Sequence, residues 1–550
     1  MVFGESARLQ LICNGSVKTM RQFNTAGPSV VGDHYCLDPL SRIDLAEILS
    51  YIESNRYFVL HAPRQTGKTT CLLALMKYLN ADGKYRALYA NIENAQTARN
   101  DVSRGLRAVC SQIAASLRMH LGDVRTADKW LDIFNNHGPD SALLELLREW
   151  TLCDPVHPTV LLLDEIDALV GDTLISVLRQ LRSGYTDRPV NFPSSVILCG
   201  VRDVRDYRIH SGGGEIITGG SAFNIKAESI RLGNFTADDI VTLYAQHTAD
   251  SGQQFDAVIF PKVWDDTAGQ PWLVNALARE ACFKLPEGKD RSRTIDLEIY
   301  LQAREQLIRS RATHLDQLTD KLQEPRVHRV IASVLAGEEY DTTLPVDDLQ
   351  YVQDMGIITL DRQVRISNAI YREVIPRELT WTRQLTISQE TPWYVRVDKR
   401  LDMPKLLRAF QQFFRENADA WIERFQYKEA GPQLLLQAFL QRIINGGGRI
   451  TREYGLGMRR MDLYLEWPLD DALAFRGPLQ KVVLELKIRR KALETTIAEG
   501  IEQTSSYAAN CGAEEAHLLL FDRSGEQNWD AKIWERTEMC HGRVVQIWGM

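Results

Sequence analysis

Nine consecutive residues, Ala62, Pro63, Arg64, Gln65, Thr66, Gly67, Lys68, Thr69 and Thr70, combine a glycine, a lysine and hydroxyls in an order that suits a polyphosphate. Gly67 lets backbone N–H groups close around phosphate oxygens. Lys68 reaches the β/γ-phosphates, and Thr69 offers its hydroxyl to Mg²⁺. The pattern is G-x-x-x-x-G-K-[ST] with Ala62 in place of the first glycine. A glycine-containing turn alone carries little weight, so the flanks decide. In "YFVLHAPRQTGKTTCLLALMKYL" a short apolar strand from Tyr57 to Leu60 enters the loop. A helix leaves it, with Leu72, Leu75, Met76 and Leu79 on its inner face. That setting is the one a phosphate-binding loop requires.

The partner of such a loop is a buried strand ending in acids, and "TVLLLDEIDAL" supplies it. An interior parallel strand is apolar throughout because both faces are covered. Ligands bind beyond the carboxyl ends of such strands. Asp164 is therefore expected to hold Mg²⁺ through water and Glu165 to polarise the attacking water. Asp167 reads as a helix-start cap. A third apolar strand, "SSVILCGVRDVRDY", leads to Arg202, placed either as a sensor of the γ-phosphate or as a plain surface arginine.

The stretch "FNTAGPSVVGDHYCLDPLSRIDLAEILSYIESNRYFVLHAPRQTGKTT" resembles bacterial AAA-like ATPases related to the STAND and origin-recognition class, over roughly Phe23 to Leu379. The resemblance implies an α/β P-loop core (23–225), a helical lid (226–315) and a winged helix (316–379), with ATP and Mg²⁺ as cofactors and assembly into a homo-oligomer on ATP binding. It implies that Gly269-Gln270-Pro271 acts as a G-x-P motif with Pro271 near the nucleotide; a proline in a helix's first turn is the ordinary alternative. "FTADDIVTLYAQH" starts a lid helix with Thr236 as its cap. The charges of the winged-helix stretch are mixed, so it reads as an interdomain regulator before a DNA reader.

The last third holds a second set of chemical residues. In "KVVLELKIRR" Val482, Leu484, Leu486 and Ile488 alternate with Val483, Glu485 and Lys487, so a strand here sets a carboxylate and an ammonium together on one face. In "RRMDLYLEW" Asp462, Tyr464 and Glu466 share a face, and Asp462 can meet the Glu485/Lys487 pair across adjacent strands. The order is a helix closed by "NGGG", three strands, a helix, then "AHLLLFD".

This order resembles the PD-(D/E)XK nuclease fold over roughly Gln433 to Ile547. The resemblance implies Asp462 as first acid and Glu485-Leu486-Lys487 as the E-x-K, with Met461 where the family name has proline. The two carboxylates and the Leu486 carbonyl would be hard oxygen ligands for Mg²⁺. The metal would polarise a scissile phosphate and activate a water, which Lys487 would orient. Gln503 and Tyr507, four apart on the next helix, match the Q-x-x-x-Y variant and would steady Lys487 or the phosphate. An isolated E-x-K is most often an ordinary surface ion pair; the conjunction of five residues in order is what points to a nuclease. From Arg449 to Lys491 there are ten Lys/Arg against six Asp/Glu, and Arg452, Arg459, Arg460, Arg489 and Arg490 suit a phosphate backbone.

Bulk properties bound these readings. A chain of 550 residues is too long for one core. The expected division is a disordered leader (1–22), the three AAA-like parts, a linker (380–425) and a nuclease-like α/β domain (426–550). Its opening residues lack the order of a secretion signal, and its apolar runs are too short to span a bilayer. Nine scattered cysteines without a C-x-x-C pair suit a reducing cytoplasm. The net charge of −7 means that nucleic acid, expected to be DNA, must meet a local basic patch. The reading is an ATP-switched, Mg²⁺-dependent nuclease in bacterial defence or mobile-element control. Its alternative is a STAND-like signalling ATPase or scaffold whose last domain binds nucleic acid without cutting. A winged-helix transcription regulator fits less well, because "VDDLQYVQDMG" is acidic where a recognition helix is basic.

Overall fold

Strands that are apolar at every position need cover on both faces, and the first half of the chain is built on that rule. The computed structural model describes residues 20–550 except 203–207, 211–215, 219–222, 311–312, 337–343, 361–363, 376–393, 426–435, 437–438, 441–447, 457–458, 471–474, 476, 490–491 and 523–528. Two compact units result, one of residues 1–316, 345–360 and 367–370, the other of 317–344, 361–366 and 371–550.

In the first unit, β1 (Tyr57–His61), β2 (Arg86–Asn91), β3 (Thr159–Asp164), β4 (Ser195–Gly200) and β5 (Lys226–Arg231) form a parallel sheet in the order β2-β3-β4-β1-β5. Phe58, Leu60, Val160, Leu162, Ile197 and Cys199 pack on one side against Cys71, Leu72, Leu75, Met76 and Leu79 of the helix Lys68–Ala81. Tyr57, Val59, Leu161, Leu163, Val196 and Leu198 pack on the other side, against helices Val102–Leu121, Ala142–Leu152 and Gly171–Ser183 among others. Because β4 lies between β1 and β3, the ends of these three strands stand side by side. The loop after β1, the acids after β3 and Gly200 at the end of β4 are thereby gathered at one edge.

The second unit carries a mixed sheet of β6 (Arg449–Leu456), β7 (Arg459–Pro468), β8 (Leu479–Ile488), β9 (Glu515–Phe521), β10 (Trp534–Cys540) and β11 (Arg543–Gly549), ordered β6-β7-β8-β9-β11-β10. β6, β7 and β8 form an antiparallel meander. β9 joins β8 in parallel after the helix Leu493–Cys511, and β11 joins β9 in parallel. Along β8, Val482 and Leu484 enter one core with Leu486 and Ile488 at its margin, while Val483 enters the opposite core with Tyr464 and Tyr507. The alternation read from "KVVLELKIRR" is the alternation in the sheet.

Several expected boundaries move. The leader was expected to run to residue 22, but Gln22–Phe23 pairs with His34–Tyr35 and Arg21 holds Asp250 through an ion pair at 2.9 Å; residues 1–19 lie outside the described residues. The core was expected to end at 225, yet β5 completes the sheet through Arg231. An edge strand reading "KAESIR" lacks the apolar run that marks its neighbours. The stretch 380–425, expected to be a linker, contains the helix Met403–Phe425, whose Met403, Leu406, Leu407, Phe410 and Phe414 are core residues of the second unit. Their i, i+3, i+4, i+7 spacing is an amphipathic stripe seeking a sheet.

Residues 316–379, expected to be a winged helix, contain helices Pro325–Ala336 and Val346–Asp354 and strands Ile358–Leu360 and Val364–Ile366, while helix Thr313–Leu322 crosses the expected start. Thr236 caps the helix Ala237–Ser251 in a reciprocal box with Asp239. Among the described residues, no helix is long and apolar enough to cross a membrane.

Candidate nucleotide site and second-unit cluster

The loop between β1 and the helix Lys68–Ala81 is held by its own atoms. Thr66 Oγ1 donates to Pro63 O at 2.8 Å, and Arg42 Nη1 donates to Thr66 O at 2.6 Å. Gly67 adopts φ +91°, and a Cβ there would lie 2.9 Å from Arg42 Nη1. Backbone freedom and the close arginine both require glycine at this position. Lys68, 6% exposed, donates from Nζ to Ala62 O (3.0 Å) and Pro63 O (3.1 Å). Its ammonium therefore lies folded over the loop mouth, partnered by carbonyls that a phosphate can replace. Arg64 is exposed, and its charge, with that of Lys68, reaches Glu165.

Asp164 ends β3 as a fully buried carboxylate. Its Oδ2 accepts from Thr69 Oγ1 at 2.7 Å and from the Tyr89 hydroxyl at 2.9 Å, and its Oδ1 accepts from Glu165 N at 3.0 Å. A hydroxyl and a carboxylate this close are hard oxygen donors of the kind that suit Mg²⁺. Glu165 sits at φ +59°, which turns its carboxylate out of the strand line. Burial pushes its acid up from the ordinary range, against the pull of the Lys68 charge. A half-buried carboxylate raised in this way is suited to holding and polarising water.

Asp167 is not the helix-start cap expected from sequence. It lies in the 3-10 turn Ile166–Ala168, and its Oδ2 accepts from Val201 N beyond β4. The following helix, Gly171–Ser183, has Val170 at its cap position. Gly200 makes room for this contact, since a Cβ there would meet Asp167 Oδ2 at 2.5 Å. Arg202 turns to the helix Val346–Asp354: its Nε lies 3.6 Å from Asp354 Oδ2 and its guanidinium 4.8 Å from the Tyr351 ring centre. On the same side, Gly356 adopts φ +76° and packs so close to Pro63 that a Cβ would lie 2.7 Å from the proline ring.

A cleft of about 130 Å³ opens beside the loop, lined by Gln65, Thr66, Gly67, Thr70 and Pro271 together with Asn24–Gly27, Arg42 and Trp272. Pro271 stands in the first turn of its helix and is one of the residues lining this cleft. The sequence reading missed Arg42, Tyr89, Trp272 and His314. His314 Nδ1 donates to Gln65 Oε1 at 2.5 Å and stacks on Trp272 with ring centres 5.0 Å apart. Burial lowers the imidazole to about 4, so it is neutral near pH 7. Gln65 itself holds φ +58°, a strained setting for a residue with a Cβ.

In the second unit, Glu485 is 3% exposed and its Oε1 lies 3.1 Å from Lys487 Nζ. Leu486 pairs with Leu519 of β9. Tyr507, on the helix Leu493–Cys511, is buried in the core that contains Val483. Gln503 on the same helix has its Oε1 buried without a hydrogen-bond partner among the described residues. The β7–β8 pairing is described as far as Leu463↔Leu484, one step short of Asp462 and Glu485. The side chains of Asp462, Arg452, Arg459, Arg460 and Arg490 lie outside the described residues. Arg489 pairs with Asp522 at 2.5 Å.

A family profile described as an AAA-like domain matches residues 50–376. Among solved structures, the chain is similar to a Walker-type ATPase of Pyrococcus abyssi, at 12% identity and TM-score 0.43, over 64% of this chain and 99% of that one. It is also similar to the ORC2 protein of Aeropyrum pernix in ADPNP–ADP complexes, at 14% identity and TM-score 0.36, over 64% and 93%. Domain III of the Thermotoga maritima replication initiation protein DnaA follows at 14% and 0.30, over 47% and 88%. No curated protein matches the chain.

Proposed function

The chain belongs to the AAA-like domain family and carries a P-loop ATPase core, and from that premise we propose an ATP-governed switch whose second unit is a Mg²⁺-dependent nuclease acting on DNA. The observation that carries the nucleotide half is the 2.7 Å bond between Thr69 and Asp164, joining the loop to the acidic strand across 95 positions. Lys68 exchanges the Ala62 and Pro63 carbonyls for the β/γ-phosphates. Thr69 and Asp164 hold the metal, with Tyr89 fixing the Asp164 carboxylate. When bound, Mg²⁺ neutralises charge building on the phosphates. Glu165 orients the attacking water, and Ala62 to Thr70 wrap the phosphates with backbone N–H groups. Pro271 and the cleft beside it receive the rest of the nucleotide.

Arg202 is the proposed γ-phosphate sensor, and its present partners suggest how sensing could be reported. A phosphate that draws Arg202 from Asp354 changes what holds the helix Val346–Asp354 beside the loop, in a region proposed as a winged helix. A ligand can shift such an equilibrium only through a difference in affinity for its states, and the Arg202 contact is where that difference would arise. ATP-dependent assembly into a homo-oligomer belongs to the same reading.

The nuclease half rests on Glu485 and Lys487, held together on a strand of a mixed sheet with the meander–helix–strand order. Asp462, Glu485 and the Leu486 carbonyl are the proposed metal ligands, Lys487 the group that orients water, and Gln503 and Tyr507 its supports. Defence against invading DNA, or control of mobile elements, is the proposed setting. The test is purified protein incubated with plasmid, linear and single-stranded DNA, with and without Mg²⁺ and ATP. Mg²⁺-dependent cleavage that responds to ATP supports the reading. DNA retention without cleavage under every condition would instead establish a nucleic-acid-binding scaffold.

A further inference from the structure

The hairpin between β10 and β11 turns through His541 and Gly542, both at positive φ (+51° and +76°), with Cys540 paired to Arg543. Positive φ at both central residues is the common two-residue hairpin turn, a conformation glycine takes freely and histidine less readily. The turn places the His541 ring and the Cys540 thiol over the helix Leu493–Cys511. Glu502 on that helix meets both: its Oε2 lies 3.1 Å from His541 Nε2 and 3.6 Å from Cys540 Sγ. Ser505, one turn along the helix, donates to Cys540 O at 3.1 Å and ties the hairpin's end to it. This is the sole group of three or more such donors found within 4.8 Å of one another among the described residues.

We propose that Glu502, Cys540 and His541 form a zinc site, separate from the nucleotide site and from Glu485 and Lys487. Zinc takes thiolate, imidazole and carboxylate ligands at about 2.0–2.3 Å in a tetrahedron, which puts neighbouring donors about 3.3–3.7 Å apart. The Glu502–Cys540 spacing falls inside that range and the Glu502–His541 spacing about 0.2 Å below it, so small side-chain movements close the site. Three different donor types also select a borderline metal over Mg²⁺ or Ca²⁺, which prefer oxygen alone. Binding proceeds by loss of the Cys540 S–H proton to solvent and donation of the thiolate pair to the metal. His541 binds through Nε2 and Glu502 through one oxygen, leaving the fourth position to water. The metal would then staple the hairpin to the helix that carries Gln503 and Tyr507.

The experiment uses full-length protein freed of metal with a chelator, titrated with Co²⁺ as a spectroscopic probe and then with Zn²⁺. A near-ultraviolet thiolate-to-cobalt band that saturates near one equivalent and is displaced by Zn²⁺ is expected. Cys540→Ser should abolish the band. His541→Ala and Glu502→Gln should each weaken Co²⁺ binding by at least the roughly tenfold that loss of even a ligand's hydrogen-bonded support costs. All three residues lie at the surface or near it, so circular dichroism should show the variants folded. Lys68→Ala should leave the band intact. Absence of a thiolate band in wild-type protein overturns the proposal, as does a band that survives in folded Cys540→Ser protein.

Discussion

Arg202 Nε lies 3.6 Å from Asp354 Oδ2, with the guanidinium over the Tyr351 ring, although 152 positions separate the arginine from the aspartate. Both side chains are largely buried, so each would be costly to leave unpaired. If Arg202 senses the γ-phosphate, Asp354 competes with ATP for it. Asp354→Asn keeps the shape, drops the charge and should tighten ATP binding by a factor within the 5- to 150-fold usual for coupled sites. Titration of a fluorescent ATP analogue measures it. Equal affinity in wild type, Asp354→Asn and Arg202→Ala would remove Arg202 from the nucleotide response.

The second expectation separates binding from turnover. Lys68→Ala deletes the charge at the loop mouth and should abolish measurable ATP binding while leaving the thermal transition of the second unit in place. Glu165→Gln retains its hydrogen-bonding shape but not its basicity. It should bind ATP normally and hydrolyse it about 10²- to 10⁴-fold more slowly. Phosphate release under saturating ATP is the readout, and full turnover by Glu165→Gln would move the water-orienting role to another group.

Asp462→Ala, Glu485→Gln and Lys487→Ala should each stop DNA cleavage for different reasons. The first two remove proposed metal ligands and should also lower Mg²⁺ affinity, whereas the lysine variant should keep most of it. Because Glu485 is buried beside Lys487, Glu485→Gln should lose some stability as well. Circular dichroism melting distinguishes an unfolded variant from an inactive one. Nicking that persists in all three folded variants would place the activity elsewhere.

Acid should loosen the first unit through two of its buried histidines. Burial lowers both His314 and His247 to about 4, against an ordinary value near 6.5. Between those values the unfolded chain binds protons that the folded chain refuses, so stability rises with pH. It is undiminished above about 6.5 and falls as pH drops toward 4, by roughly 3 kcal/mol per histidine at most. His314→Gln, which can still reach Gln65, should flatten the lower part of the denaturation-midpoint profile. An unchanged slope in that variant would mean that His314 is solvated.

Gly200→Ala tests the tie between Asp167 and β4. The added methyl carbon would lie 2.5 Å from Asp167 Oδ2 and 2.9 Å from Ile166 Cγ2. Overpacking of this kind costs about 1–3 kcal/mol. The urea midpoint should fall, and ATP turnover with it, because Asp167 anchors the turn that follows Glu165. A midpoint equal to wild type would show that the strand end yields without cost.

Burial patterns were legible in the sequence wherever a residue's fate depends on its near neighbours in the chain. The apolar run to Asp164, the loop from Ala62 to Thr70 and the two faces of β8 follow from strand and helix periodicity, because a side chain's direction repeats every two or 3.6 residues. The apolar stripe of the helix Met403–Phe425 is equally present in the sequence, behind an irregular start that reads as a linker. Partners were not legible. Tyr89 reaches Asp164 only once β2 lies beside β3, Asp167 reaches Val201 only once β4 does, and Arg202 reaches Asp354 and His314 reaches Gln65 only once the later helices have folded back. Periodicity states which face of an element is covered and is silent about what covers it. Strand order and helix docking, set by the packing of the whole unit, decide that.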